Sequence, residues 1–439
     1  MGRLLQSSDR PRVTTETTIG RNKDIKLKLP FVVPGMGSTN VAKQNWAGLG
    51  GGAALSGAIL TIGENVCGMD DETELKNGRV VRSPDMEFRI KSFRDWQDGY
   101  GDVVVQANVE DTRLGTQEYA IEKLGIETVE LKWGQGAKDI GGEVKIKSVK
   151  KAQALKKKGY IVLPDPENPN VIAAFEKGSF KEFERHSRLG MVEEDSFMAR
   201  VEELRKVGAK RIFLKTGAYR PADLARAVKY ASKAKLDLLT VDGAGGGTGM
   251  SPWRMMNEWG IPTVEIWSLT WKFADQLAKQ GEFVPDLAFG GGITFEDQIF
   301  KALALGAPYV KAVGMARSPL AAAMVGKTIG GRINDGQIPV YVERFGNSKD
   351  EIFVTAPELR RRFGARFDEM PAGAIGVYTY FKRLSQGLRQ MMAGERKFTL
   401  DYVNRDDIAA LTKEAADISG IPFITDVDKD EVQKILKAK

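Results

Sequence analysis

The feature that most constrains the fold is the repeated succession of a short apolar run and a helical pattern. The apolar runs lie at residues 31–34, 103–106, 129–132, 161–164, 211–215, 238–242, 287–290 and 309–314. Parallel strands need a crossover connection, usually a helix, and they are buried on both faces. The repeat therefore predicts an α/β fold built on a parallel sheet.

Two of the intervening segments carry clear helix signals. Residues 221–230 begin with Pro221, whose missing N–H costs nothing in the first turn of a helix. Residues 294–305 begin with Thr294, a residue type that caps helix N-termini, and they stop before Gly306. We expect both segments to be helices that connect successive strands.

Glycines cluster directly after the predicted strands, at positions 35 and 37, 134 and 136, within 243–249, at 290–292 and at 314. In a (β/α)8 barrel, the loops after the strands form the active face. A doubly wound sheet would favour a Gly-x-Gly-x-x-Gly turn, and none of these clusters has that spacing. We predict a (β/α)8 TIM barrel over residues 30–330. A short N-terminal arm (1–29) precedes it, and a helical extension (331–439) packs on the barrel or on partners.

Cysteine and histidine are nearly absent, which excludes several kinds of chemistry. The only cysteine is Cys67 and the only histidine is His186. One cysteine cannot form an internal disulfide, a cysteine-ligated zinc site or an iron–sulfur cluster within this chain. His186 is interpreted as a surface residue on a loop or helix, with a triad histidine as the alternative. Chemistry is expected to depend on Lys, Asp, Glu, backbone amides or a cofactor, and no metal site is predicted.

The charge pattern gives no indication of nucleic-acid or membrane binding. The net charge is +7, and basic and acidic residues alternate along the chain. The densest basic stretch, residues 145–158, is interpreted as a solvated helix face, with an anion or acidic-partner site as the alternative; no nucleic-acid-binding motif is present. No uninterrupted apolar run reaches about 18 residues, and the N-terminus is not a signal peptide. We expect a cytoplasmic protein.

Two consecutive strand ends predict an anion-binding site. Residues 290–294 have the sequence Gly-Gly-Gly-Ile-Thr and lead into a predicted helix. Exposed backbone N–H groups and a helix N-terminus together attract a phosphate. The next strand ends at residues 313–317, and the loops after the last two strands of a barrel frequently bind a phosphate together. Arg317 is predicted to add a charge-assisted contact.

Three other strand ends hold candidate site residues. Residues 242–252 are rich in glycine, which permits close approach of the backbone to a ligand. Lys215 ends an apolar strand, where its ammonium group would stabilise negative charge on a flavin or a carbonyl oxygen. Lys138 follows a further strand and the glycine turn at 134–137. A flexible surface loop and structural lysines are the alternatives.

Two of these segments carry a resemblance to a known family. Residues 134–138 have the sequence Gly-Gln-Gly-Ala-Lys, and residues 245–252 have the sequence Gly-Gly-Gly-Thr-Gly-Met-Ser-Pro. In this order and at this separation, they resemble two motifs of the FMN-binding domain of the glutamate synthase large subunit. The segments 36–38 and 63–64 are similar to its early site-lining segments. The resemblance implies a (β/α)8 barrel in which reduced FMN delivers hydride to 2-iminoglutarate.

The resemblance also implies roles for individual residues. Lys138 is expected to hold the 2-oxoglutarate carboxylate, Glu64 to lie where ammonia arrives, and Lys215 with Gln106 to face the flavin ring. The predicted catalytic residues are Lys138, Glu64 and Lys215. The predicted cofactor-binding residues are Gly35, Met36, Gly37, Ser38, Gln106, Lys215, Gly245, Gly246, Gly291, Gly292, Gly314, Met315 and Arg317. The predicted substrate-binding residues are Lys138, Glu143, Thr248 and Ser251.

The chain departs from the family in one informative respect. The family has a cysteine cluster after the last barrel strand that ligates a [3Fe–4S] centre, and residues 318–332 contain no cysteine. Electrons reach FMN through that centre, so a relative without it either receives electrons differently or needs none. No iron–sulfur cluster is expected in this chain. The amidotransferase and glycine-repeat β-helix domains of the family are expected on separate subunits.

These departures favour the FMN subunit of the N-methylglutamate synthase family. That enzyme exchanges the ammonia of glutamate for methylamine, so its net reduction is zero. The expected partners are glutamate or 2-oxoglutarate, an amine (methylamine or ammonia), and amidotransferase-like and glycine-repeat β-helix subunits in a hetero-oligomer. Two alternatives stay open: a cluster-free glutamate synthase subunit fed by a separate reductase, and a flavin-free scaffold subunit.

Overall fold

The computed structural model describes residues 13–134, 144–188, 192–217, 220–246 and 260–438. Its strands are β1 (Thr17–Ile19), β2 (Ile25–Leu27), β3 (Phe31–Met36), β4 (Ile59–Ile62), β5 (Glu74–Lys76), β6 (Arg79–Arg82), β7 (Asp102–Ala107), β8 (Thr128–Lys132), β9 (Val144–Ile146), β10 (Ile161–Leu163), β11 (Phe183–His186), β12 (Arg211–Thr216), β13 (Leu238–Asp242), β14 (Asp286–Gly290) and β15 (Val310–Gly314). Its α-helices are α1 (Asn40–Leu55), α2 (Val66–Met69), α3 (Pro84–Arg94), α4 (Val109–Leu114), α5 (Thr116–Leu124), α6 (Val149–Lys157), α7 (Pro169–Glu176), α8 (Glu194–Val207), α9 (Pro221–Lys233), α10 (Thr263–Lys279), α11 (Glu296–Gly306), α12 (Arg317–Asn334), α13 (Val340–Glu343), α14 (Lys349–Ile352), α15 (Ala356–Phe363), α16 (Ala372–Gly394), α17 (Lys413–Ser419) and α18 (Lys429–Lys437).

Eight of the strands close into a barrel. The order around the barrel is β12, β13, β14, β15, β3, β4, β7 and β8, and all neighbouring strands are parallel. The last strand closes on the first, with Val313 opposite Phe31 and Gly314 opposite Val32. Helices follow the strands and surround them, which confirms the predicted (β/α)8 TIM barrel.

One predicted barrel strand is wrong, and one was missed. The run at 161–164 does not enter the barrel; β10 is an edge of a three-stranded antiparallel sheet, where Ile161 and Leu163 are exposed. The second barrel strand is β4, with the sequence Ile-Leu-Thr-Ile. An apolar run alone does not distinguish a core strand from an edge strand. Helix α1, which precedes β4, is rich in glycine and has the composition of a loop. There is therefore no clear helix signal in the sequence before β4.

The three-stranded sheet belongs to an insertion between β8 and α8. It contains β9, β10 and β11 with α6 and α7. His186 ends β11 rather than lying on a loop or helix, and its half-buried ring is 3.4 Å from Glu184. The basic stretch 145–158 lies in this insertion, where Lys145 and Lys147 approach Glu182 and Lys156 pairs with Asp165.

The two predicted helices are present with small differences at their ends. Helix α9 begins at Pro221, as expected from its position in the first turn. Helix α11 begins at Glu296, so the capping residue is Phe295 rather than Thr294, and the helix includes Gly306. Gln298 explains the shift, because its side-chain oxygen accepts the N–H groups of Thr294 at 2.8 Å and Phe295 at 3.0 Å.

A helix from the C-terminal part of the chain completes the layer around the barrel. Helix α12 runs through residue 330, and α16 packs against α1, α11 and α12. The Phe381 ring of α16 lies 5.1 Å from the Phe31 ring of β3. Glycines permit this close packing, since a Cβ on Gly326 would lie 2.5 Å from the carbonyl oxygen of Ala372. The C-terminal part of the chain also contains α15 and α17.

The N-terminal hairpin of β1 and β2 seals one end of the barrel. Its side chains Ile19, Ile25 and Leu27 are buried in one cluster with inward-facing barrel residues. The hairpin lies at the amino ends of the strands, because Gly20 donates its N–H to Asp286, the first residue of β14. The carboxyl ends of the strands are therefore the face on which a site is expected. Among the described residues, no helix has the length and apolar character needed to span a membrane.

Candidate functional site

The carboxyl end of the barrel holds a group of buried polar side chains. They are Gln106 of β7, Glu130 of β8, Lys215 of β12 and Asp242 of β13, each at most 6% exposed. Charged residues are almost never fully buried unless they are paired. Their concentration at one end of the barrel marks that end as the candidate site.

Gln106 and Glu130 form a short hydrogen bond inside the barrel. The amide nitrogen Nε2 of Gln106 donates to Oε1 of Glu130 at 2.5 Å. Burial raises the pKa of Glu130, and the neighbouring Lys215 ammonium and the Gln106 bond oppose this shift. The other amide atom, Oε1 of Gln106, is buried and has no hydrogen-bond partner among the described residues. It is an acceptor available to a ligand.

Lys215 provides a buried positive charge between two carboxylates. Its Nζ lies 3.6 Å from Oδ2 of Asp242, and it acts electrostatically on Glu130. The lysine is held by β12, where it lies opposite Lys132 of β8 and Thr240 of β13. Lys215 is the penultimate residue of β12, which ends at Thr216, so it lies at the carboxyl end of the barrel.

Glu64 and Lys132 form a second charged pair at the same end. Oε1 of Glu64 lies 2.6 Å from Nζ of Lys132, and both side chains are largely buried. Glu64 was expected at the site, whereas Glu130 and Lys132 were not singled out. The signal was available in the sequence: Val129 and Leu131 alternate with two charged residues, and alternate residues of a strand point to opposite faces.

The loops after β13 and β14 meet the start of α12 in a glycine-lined cradle. We use this name for Gly245, Gly246, Gly291, Gly292 and Arg317. Nη2 of Arg317 donates to the carbonyl oxygen of Gly245 at 2.6 Å. A Cβ on Gly245 would lie 2.7 Å from the carbonyl oxygen of Gly291, so a larger residue would disturb the packing of the two loops.

Gly291 is also required by its backbone conformation. Its φ of +133° is rarely adopted by other residues, and a Cβ there would lie 2.6 Å from Oγ1 of Thr263. The Thr263 hydroxyl donates to the carbonyl oxygen of Gly291 at 2.9 Å and fixes the turn. Helix α12 has 18 residues, and its N-terminus at Arg317 adds the positive end of its dipole. The cradle therefore has the chemical character of an anion site.

The predicted residues Gly314 and Met315 lie beside the cradle. Gly314 is the last residue of β15, and Met315 is buried directly after it. The backbone N–H of Met315 donates to the carbonyl oxygen of Val32 at 3.0 Å. That N–H is consequently committed to the barrel and unavailable to a phosphate.

The end of β3 contains the predicted residues Gly35 and Met36, and the loop that follows contains Gly37 and Ser38. A Cβ on Gly35 would lie 2.5 Å from Oε1 of Gln106, and one on Gly37 would overlap the carbonyl oxygen of Glu64. Arg89, fully buried on α3, donates to the carbonyl oxygens of Met36 at 3.3 Å and Gly37 at 3.0 Å. Arg89 was not predicted, and it holds this loop against the site.

Four predicted site residues, Lys138, Glu143, Thr248 and Ser251, lie outside the described residues. Both motifs on which the family resemblance depends lie largely in the same segments, 135–143 and 247–259. Their expected contacts with substrate stay predictions.

Comparisons with known proteins agree with the resemblance in the sequence. Residues 186–327 match the model of the family described as a conserved region in glutamate synthase. A glutamate synthase large subunit-like protein of Rhizobium meliloti (strain 1021) is 25% identical over 432 residues, which cover 94% of this chain and 83% of that protein. A second such protein, from Bacillus subtilis (strain 168), is 32% identical over 114 residues, covering 25% of this chain and 21% of that protein.

The matched region contains the glycine-lined cradle, Lys215 and Asp242, whereas Glu64, Gln106 and Lys132 lie before it. Among solved structures, the recombinant flavin-binding domain of baker's yeast flavocytochrome b2 has a TM-score of 0.50 and 16% identity, covering 98% of this chain and 80% of that chain. At this identity the likeness concerns the fold. Sequence similarity therefore connects the chain with glutamate synthase, and the structure connects it with TIM barrels.

Proposed function

We propose that this chain is the FMN-dependent subunit of a glutamate synthase-like enzyme, and that it catalyses the exchange reaction of N-methylglutamate synthase. In that reaction, glutamate and methylamine give N-methylglutamate and ammonia. The observation that carries the proposal is the glycine-lined cradle beside the buried pair of Lys215 and Asp242. Similarity of residues 186–327 to a conserved region in glutamate synthase supports it, because this region includes the cradle and the pair.

The residues present fit FMN. The cradle and Arg317 would hold its phosphate, because glycine backbone and a helix N-terminus suit an anion. Oε1 of Gln106, buried and unpartnered among the described residues, would accept a hydrogen bond from a ring N–H. The ammonium group of Lys215 would stabilise negative charge on the ring. When bound, FMN would supply reversible hydride transfer to and from a carbon atom that bears nitrogen.

The exchange balances in atoms and electrons without an external reductant. A hydride leaves Cα of glutamate, and a hydride returns to the same carbon after methylamine has replaced ammonia there. Ammonia is released, and no electrons are gained or lost overall. The single cysteine, Cys67, is buried, and one thiol does not provide the ligands of an iron–sulfur cluster. The exchange reaction requires no such cluster.

Glu64 and Lys132 are proposed to handle the amine. The Glu64 carboxylate would bind the incoming alkylammonium ion and accept the proton that frees its lone pair. Lys132, 2.6 Å from Glu64, compensates the charge of this carboxylate and orients it. Lys138 is proposed to bind a substrate carboxylate, and Glu143, Thr248 and Ser251 are proposed to contact the substrate as well.

A second candidate function is favoured by the names of the relatives. Both are described as glutamate synthase large subunit-like. A cluster-free glutamate synthase subunit would use the same site to convert 2-oxoglutarate and ammonia to glutamate, with electrons from a separate reductase. Amidotransferase-like and glycine-repeat β-helix subunits are proposed as partners under either function.

The two functions differ in their need for a reductant. The natively expressed enzyme, with the subunits that co-purify, is incubated with glutamate and labelled methylamine in the absence of NADPH and ferredoxin. We expect labelled N-methylglutamate and an equal amount of ammonia. A strict requirement for NADPH or ferredoxin would contradict the exchange function and favour the second candidate.

Replacing Glu64 with glutamine is expected to reduce the exchange rate about 100- to 1,000-fold, because a positioned acid or base contributes about this much. FMN content should not change, since Glu64 lies outside the cradle. The measurement is kcat together with the flavin-to-protein ratio. Glu74→Gln is the matched control, because Glu74 forms an exposed pair with Arg82. Equal rates for Glu64→Gln and wild type would remove Glu64 from the mechanism.

A further inference from the structure

The residue that follows Glu64 has a backbone conformation that needs support. Asn65 is buried and adopts the left-handed conformation, with φ of +65° and ψ of 12°. Residues other than glycine adopt this region infrequently; asparagine adopts it more readily than most, and partners of its backbone stabilise it there. Glu64 is the residue directly before this turn, so the turn bounds the segment of backbone that carries its side chain.

Asp111 provides the support. Oδ2 of Asp111 accepts the backbone N–H of Asn65 at 2.9 Å and the backbone N–H of Asn108 at 3.3 Å. The hydroxyl of Thr116 donates to the other carboxylate oxygen at 3.5 Å. Asp111 is fully buried, and it lies in the first turn of α4. Asp111 is not among the predicted site residues and has no part in the proposed chemistry.

This carboxylate connects two loops of the candidate site. Helix α4 follows β7, which carries Gln106, whereas Asn65 belongs to the loop after β4, which carries Glu64. Contacts from the insertion reach the same loop: Nη1 of the buried Arg185 lies 3.5 Å from Oδ1 of Asn65. The loop is therefore held from α4 through its backbone and from β11 through its side chain.

The charged groups around Asp111 are consistent with this role. The pKa of Asp111 is raised to about 7, mainly by burial and to a smaller extent by Glu64. The N–H groups of Asn65 and Asn108 and the charge of Arg185 oppose this shift. Burying the Asp111 carboxyl group costs folding stability. Such costs are expected for residues that support a functional site.

We propose that Asp111 is a positioning residue, which fixes the Glu64 carboxylate by holding the backbone of Asn65 in its left-handed turn. The inference rests on the proposed function of Glu64. Loss of Asp111 would free the turn, and the Glu64 carboxylate would leave its position 2.6 Å from Lys132. Asp111 touches neither substrate nor cofactor in this proposal.

The test is a double-mutant cycle with Asp111→Ala and Glu64→Gln. We expect Asp111→Ala alone to reduce kcat about 100-fold with KM for glutamate changed less than about threefold, since a misplacement of about 1 Å costs that much. In the Glu64→Gln background, Asp111→Ala should reduce kcat less than about threefold, because residues that act as one unit are not additive. If the loss of kcat in the double variant equals the product of the losses in the two single variants, the proposal is overturned.

Two further variants separate positioning from general destabilisation. Asp111→Asn keeps an oxygen that accepts the N–H of Asn65, so we expect it to restore kcat to within about fivefold of wild type. Asp237→Ala is the matched control: Asp237 is a buried carboxylate that accepts the N–H groups of Ile212 and Arg21 at the opposite end of the barrel. It should lower the melting temperature and leave kcat of the folded enzyme unchanged. An equal loss of kcat in Asp237→Ala would overturn the proposal.

A measurement without turnover distinguishes this proposal from the proposed function. Hydrogen exchange of the Asn65 amide in the holoenzyme should be slow in wild type and at least about tenfold faster in Asp111→Ala. Unchanged protection would overturn the positioning role whatever the activity. If exchange is faster in Asp111→Ala but Glu64→Gln is fully active, the contact between Asp111 and Asn65 exists and the function proposed for Glu64 is wrong. The positioning proposal would then be wrong as well. If Asp111→Ala does not fold, Asp111→Glu replaces it, because it keeps the charge and displaces the carboxylate.

Discussion

Replacing Gly291 with aspartate is expected to give a folded protein that binds FMN at least about 100-fold more weakly than wild type. The carboxylate would face the site proposed for the phosphate, and juxtaposed like charges cost several kcal/mol. The new side chain would also crowd Oγ1 of Thr263, 2.6 Å from its Cβ, and it would strain a backbone with φ of +133°. The flavin released from the denatured protein, divided by the protein concentration, measures the effect.

Gly331→Asp is the matched control for this variant. Gly331 lies in α12, and a Cβ there has no neighbour within 4 Å among the described residues. The same substitution at this exposed position should leave FMN content unchanged. If Gly291→Asp is too unstable to purify, Arg317→Ala removes the cationic part of the cradle without crowding, and it should weaken FMN binding about tenfold. Full flavin occupancy in both cradle variants would contradict this placement of the phosphate.

Replacing Lys215 with glutamine is expected to reduce kcat about 100- to 1,000-fold, the usual effect of removing one preorganised donor from developing negative charge. Lys215 is the buried cation beside Asp242 and Glu130, and glutamine would leave their negative charges less compensated. The pKa of Glu130, already raised by burial, should rise further. FMN is expected to stay bound, because the cradle is intact, and its reduction potential should fall.

Two controls accompany this measurement. Lys229→Gln changes an exposed lysine that lies 3.4 Å from Glu282 on the outside of the barrel, and kcat should not change. Lys215→Arg keeps the charge and should retain more activity than Lys215→Gln. A wild-type kcat and an unchanged flavin potential in Lys215→Gln would show that this lysine does not act on the flavin.

The barrel was predictable because its strands are short apolar runs, most of which are followed by glycine. Seven of the eight barrel strands were recognised in the sequence from their apolar runs. The exception is β4, a run of four residues that follows α1. The glycines within α1 allow close helix packing and do not form a turn. The pattern at 161–164 was misleading because an edge strand in an insertion also consists of apolar residues. Burial of a strand, rather than its composition, decides whether it joins the barrel.

Candidate site residues were predictable where the residue type and its place at the end of a strand together indicate a function. Glycines after strands, and Lys215 at a strand end, belong to this class. Glu130 and Lys132 were missed because they alternate with apolar residues in a strand that was interpreted only by its hydrophobicity. Arg89 and Asp111 act through backbone groups of distant loops, at separations of 52 and 46 residues in the chain. No local pattern in the sequence indicates such contacts.

The absorption spectrum of the natively expressed, purified protein tests the central claim most directly. If the chain is a cluster-free FMN enzyme, the protein is yellow, with flavin bands and no broad iron–sulfur absorption beneath them. Addition of glutamate in the absence of oxygen should then bleach the flavin bands. A colourless protein that cannot be reconstituted with FMN would contradict the account and favour a flavin-free scaffold subunit.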